Sequence, residues 1–145
     1  MPYKHLKKFI ETGSVREAIK DTALARSLAD TADSDLRFIS NLQITPDSAR
    51  KITANYYDIL RSLIEAVAVL KGLKIYSHEG FTAFLRDEGR MKIAEKFDRF
   101  RRIRNGIEYF GNTVSIEKAR QNEEDMKELI AIFRNMLSEE LKKTL

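Results

Sequence analysis

The residues best suited to chemistry crowd one stretch, from Arg99 to Tyr109. Arg99, Arg101, Arg102 and Arg104 supply guanidinium groups, Asn105 an amide, Glu108 a carboxylate and Tyr109 a phenol. If the stretch is helical, Phe100, Ile103 and Ile107 share one face and point to a core. Arg101, Arg104 and Glu108 then share a second face, and Arg99 and Arg102 a third. Arginines held side by side can grip a phosphate through bidentate contacts. That makes Arg101, Arg102, Arg104 and Asn105 candidate anion ligands. The plainer reading is a solvated basic face, with Arg104 paired to Glu108 one turn on. Tyr109 is either a packed aromatic, a phosphate hydrogen-bond donor, or an acceptor for a modifying group.

Other chemistry is thinly represented. The chain has two histidines and no cysteine. His5 lies in a basic N-terminal stretch, and His78 follows Ser77, where it is read as helping to fix a helix start. No histidine pair or His–carboxylate array has metal-ligand spacing, so no metal site is expected. The absence of cysteine excludes disulfides and thiolate metal sites. Phosphate-cradling glycine loops, dinucleotide fingerprints and serine nucleophile motifs are missing.

The elements that must position these residues read as helices. A capping box, Ser14 to Glu17, predicts a first helix that runs towards Leu42, with a kink in the weak TADSD stretch. Thr45 and Pro46 suit the cap and first position of a second helix. Its apolar face runs from Ile52 to Leu70, and Lys71-Gly72 stops it. Ser77 caps a short third helix with Phe81, Phe84 and Leu85. A fourth spans Met91 to Phe110, weakened at Gly106 and closed by Gly111. Ser115 caps the last helix. No stretch shows sustained period-two alternation, so no sheet is expected. The fold class is all-α, a four- to five-helix up-down bundle in one domain, residues 1–145, with 1–13 as a mobile N-terminal segment.

Composition agrees. The chain has 145 residues, 43% hydrophobic and 33% charged, and only 2 prolines and 6 glycines to interrupt long helices. A domain of this size buries enough surface to fold without staples. No apolar run suits a signal peptide or a membrane span, and a soluble cytoplasmic protein is expected. The net charge of +4 permits a nucleic-acid partner without requiring one.

Three stretches resemble the HEPN domains: LKGLKIYSHEGFTAFL, FRRIRNGIEYFG and SIEKARQNEEDMKELIAIF. They follow one another in the family's order over nearly the whole chain. The resemblance implies a HEPN-like bundle that dimerises through the face carrying the motif. Many HEPN proteins are metal-independent endoribonucleases. Others pair with small nucleotidyltransferases in toxin–antitoxin-like systems, and others bind nucleotides, RNA or proteins. The family motif is an Arg, a polar residue and then a His. Here it maps onto Arg104 and Asn105, but the fifth residue after Arg104 is Tyr109. A histidine exchanges protons near neutral pH, whereas a phenol is a poor base there.

The resemblance therefore implies a homodimer whose main work is binding RNA or a nucleotide, without a cofactor, and with a nucleotidyltransferase-type protein as partner. One alternative is a metal-independent endoribonuclease with Arg104, Asn105 and Tyr109 as its catalytic candidates. The other is a non-catalytic dimeric scaffold.

Overall fold

A computed structural model describes residues 3–144 of the chain. Helix α3, Ala49–Leu70, is the axis of the fold, and most of its residues are buried. It packs against α2, Thr22–Ser40, on one side and α6, Ile116–Lys143, on another. Helices α4, His78–Asp87, and α5, Met91–Phe110, pack on each other, and both also meet α3. A short α1, Lys7–Thr12, precedes them. Tyr57, Phe97 and Phe133 stack in series through the middle, with ring centroids 5.3 and 6.1 Å apart. The class is predominantly all-α, with six helices among the described residues.

The N-terminal third departs from expectation. Val15–Glu17 is a strand, β1, rather than the start of a helix. It pairs antiparallel with β2, Leu73–Ile75, with Val15 opposite Ile75. The expected all-helical chain thus carries a two-stranded sheet. Three-residue strands are too short to show alternation, and Val15 and Ile75 reach the core only because they meet across the sheet. Helix α2 instead begins after Asp21, whose carboxylate accepts from Leu24 N. Ile19, expected on the stripe of a first helix, is 93% exposed. The kink expected at TADSD is missing, for α2 runs through it unbroken.

Most other boundaries match their capping signals. Thr45 and Ser48 bond reciprocally ahead of α3, and Ala49 N donates to the Thr45 carbonyl. Helix α3 nevertheless starts at Ala49, later than the Thr45 cap and Pro46 first position expected, because the Thr45–Ser48 bonds close a turn first; Pro46 lies in that turn, where its missing N–H is harmless. Ser77 and Ser115 cap α4 and α6 through Gly80 N and Lys118 N. Gly106, read as a weak point, leaves room: a Cβ there would lie 2.5 Å from the Asn112 amide nitrogen. The Gly106 carbonyl also accepts from Asn112 N, folding the chain back at the end of α5.

Within the segment 1–13, expected to be mobile, residues 3–13 form α1 and its flanks, and Leu6 is fully buried. The Asp87 carboxylate accepts from the backbone N–H groups of His5 and Leu6, at 2.8 and 2.9 Å. No helix among the described residues is long and apolar enough to cross a membrane.

Candidate functional site

Arg104 projects from α5 towards α3, not along its own helix. Its Nε lies 3.8 Å from Asp58 Oδ1, an ion pair too long for a hydrogen bond. The expected partner, Glu108, forms no ion pair with it among the described residues. The Nε is buried and has no hydrogen-bond partner. A buried donor left in that state is unfavourable unless something else completes the site. Around Arg104 opens a cleft of about 540 Å³, which also takes in Asp58, Arg61 and Glu65 of α3 and His78 of α4. Arg61 is committed to Glu65 at 2.8 Å, one helical turn away.

His78 enters this cleft because of how α4 begins. Ser77 caps the helix, and Gly80 allows its first turn to lie against the sheet. A Cβ at Gly80 would come within 2.8 Å of Ile75 Cγ2 and 3.2 Å of Val15 Cγ2. That close approach sets the imidazole against α3. There its Nδ1 is 2.9 Å from the buried Tyr57 hydroxyl. The helix-start role read for His78 belongs to Ser77 instead, since the cap bond is made by the serine hydroxyl.

The surroundings tune both groups. Burial lowers the proton affinity of His78, and the positive charges of Arg104, Arg61 and Arg101 lower it further; Glu79 opposes them. The imidazole is therefore neutral at pH 7 and can accept a proton. Burial raises Tyr57 far above the ordinary phenol range, with Arg101, Arg104 and Arg61 pulling the other way. The phenol stays protonated. Burial also raises Asp58, against the pull of Arg104 and Arg61.

The remaining candidates scatter. Arg101 is bound to Asp98 at 2.8 Å and only approaches Glu79, at 3.8 Å. Burial raises the Asp98 carboxyl, but the bond and charge of Arg101, the Thr82 hydroxyl and the charge of Arg102 together outweigh it and hold Asp98 below the usual carboxylate range. Arg102 is exposed and reaches Asp98 at 3.6 Å. Asn105 is half-buried on α5 and does not line the cleft. Tyr109 is 71% exposed, so the packed-aromatic reading fails, and it too lies outside the cleft. Phe110, expected inward, is 81% exposed because α5 ends as it leaves the core. Of the residues singled out from sequence as phosphate or catalytic candidates, only Arg104 lines this cleft, and the fold adds His78 and Asp58, with Tyr57 behind His78. The only sequence signal was a polar residue, Asp58, interrupting an otherwise apolar run.

No protein-family model matches the chain, no curated protein matches it, and no solved structure matches it.

Proposed function

We propose that the cleft around Arg104 binds a phosphate group of RNA or of a nucleotide, and that the chain is a HEPN-like binding protein. The supporting observation is the Arg104 guanidinium, part-buried at the cleft wall with only a long ion pair to Asp58. The exposed part of the Arg104 guanidinium can donate to a phosphate oxygen in the cleft. The cleft is not strongly cationic, since Arg61 and Arg104 stand against Asp35, Asp58 and Glu65. Recognition here rests on placed donors more than on net charge. A homodimer, a nucleotidyltransferase-type partner and a toxin–antitoxin-like setting belong to the same proposal through the HEPN resemblance.

A second reading, a metal-independent endoribonuclease, gains from His78. Tyr109 is no longer needed as the base. With the proton on Nδ1 donated to the Tyr57 hydroxyl oxygen, Nε2 is free to accept one. His78 would take the proton of a ribose 2′-hydroxyl, and the 2′-oxygen would bond to phosphorus. The bond from phosphorus to the 5′-oxygen would break, leaving a 2′,3′-cyclic phosphate. The 5′-oxygen would take a proton from solvent, and His78 would return its own. Arg104 would steady the charge on the phosphorane.

One experiment addresses both readings: binding and cleavage of a labelled single-stranded RNA in EDTA by the wild type, Arg104→Ala and His78→Gln. Loss of binding in Arg104→Ala alone supports the binding protein. Cleavage lost in both variants, with His78→Gln still binding, makes it a nuclease. Equal binding by the wild type and Arg104→Ala sinks the proposal.

A further inference from the structure

The basic N-terminal stretch plays no part in the cleft, yet the fold pins it nearby. Leu6 is buried, and Asp87 at the end of α4 holds the His5 and Leu6 N–H groups. As a result Lys4, Lys7 and Lys8 face solvent around a hollow that Glu11 also lines, and Lys8 shares a further cleft with Arg86. None of these four forms an ion pair among the described residues, whereas every arginine near the first cleft has a carboxylate partner. A second cleft of about 330 Å³ lies between α1, α4 and α5, with Lys8, Arg86 and Arg101 on its walls. Glu79 and Asp98 also face it, but Asp98 is taken up by Arg101. The two clefts share no lining residue but are neighbours at the start of α4, where His78 lines the first and the adjacent Glu79 lines the second. From His78 to Arg86 the helix advances by about 12 Å.

We infer that this rim is a second phosphate site, and that the ligand is a single-stranded RNA several nucleotides long, running from the Arg104 cleft along α4 to Lys7, Lys8 and Arg86. The inference rests on the cleft binding a phosphate at all. It adds the class of ligand: a polynucleotide, since a mononucleotide cannot span both sites. It also divides the labour. The cleft holds one phosphate through part-buried donors, and the rim gathers the following ones through exposed, solvated cations. Such contacts are sequence-independent and salt-sensitive.

The test compares a labelled RNA dinucleotide with an RNA of a dozen nucleotides across a salt series. The proteins are the wild type, Arg104→Ala, and a combined Lys7→Ala, Lys8→Ala and Arg86→Ala variant. All three rim side chains lie at or near the surface, so circular dichroism of the combined variant should match the wild type. The inference expects the longer RNA to bind more tightly than the dinucleotide. The combined variant should lose about tenfold in affinity for it at low salt, with a log–log salt slope shallower by about 2. Its affinity for the dinucleotide should not change. Equal affinity for the two RNAs overturns the inference, as does a combined variant that binds the longer RNA with unchanged affinity and slope. Rim substitutions that release the protein from phosphatidylserine vesicles but not from RNA also overturn it, in favour of a membrane surface. Failure of the cleft reading looks different: Arg104→Ala then leaves dinucleotide binding intact, while the effect on the longer RNA still reports on the rim.

Discussion

In the cleft, Arg61 and Arg104 stand among half-buried carboxylates and beside a histidine whose proton affinity is lowered. On the rim, Lys7, Lys8 and Arg86 are cations without an ion pair among the described residues. The two regions lie at opposite ends of one ten-residue helix, α4. The difference is one of dielectric. Part-buried charges must be paired, so they act through position; exposed charges are screened and act through number. The cleft is therefore sensitive to small displacements, and the rim is tolerant of them.

Disturbing the seat of α4 should have the largest effect on the cleft. Gly80→Val should destabilise the protein by about 1–3 kcal/mol, since its side chain would overlap Ile75 and Val15. Urea denaturation measures it, and an unchanged midpoint would mean that α4 is not seated by that contact. Asp87→Ala comes next. It leaves two backbone N–H groups without their acceptor, which should cost about 1–2 kcal/mol, confined largely to the N-terminus. Hydrogen exchange should then speed up across α1 and leave α3 unaltered.

Tyr57→Phe removes the hydroxyl bonded to His78 and should cost about 1 kcal/mol. The same pair carries a pH dependence. The folded state lowers the proton affinity of His78, so the unfolded chain binds its proton more readily. The stabilising contribution is complete above the ordinary histidine value of 6.5 and is lost as the pH falls below it. A stability profile from pH 7 downward should therefore decline, and less steeply in His78→Gln. A matching decline in both proteins would assign the effect to other groups. Smallest of all, Lys8→Ala should shift stability by less than about 0.5 kcal/mol, as expected of an exposed side chain. A larger loss would show that the rim is structural.

Much of this architecture was legible in local chemistry. Ser77 and Ser115 mark helix starts because a side-chain oxygen must satisfy orphaned N–H groups. Gly72, Gly89 and Gly111 mark helix ends, all with positive φ. The same logic misled at Ser14 to Glu17, where the capping pattern is present but Val15 is drawn into a sheet by Ile75, sixty residues away. The arginine cluster around Arg104 was legible because residues on one helix face are local information.

By itself, then, the sequence determined helices α4, α5 and α6, the stops of the first two, the serine caps of α4 and α6, and the buried face of α3. Each follows from interactions between residues within about a turn of one another. Only the tertiary structure decided what Arg104 works beside. Asp58 comes from α3 and His78 from α4, and they meet Arg104 of α5 because Gly80 lets α4 close onto the sheet. It also decided that a basic terminus becomes a fixed rim, since the acceptor that holds it, Asp87, lies eighty-one residues beyond Leu6. Contacts at such separations depend on packing geometry, which no local spacing encodes.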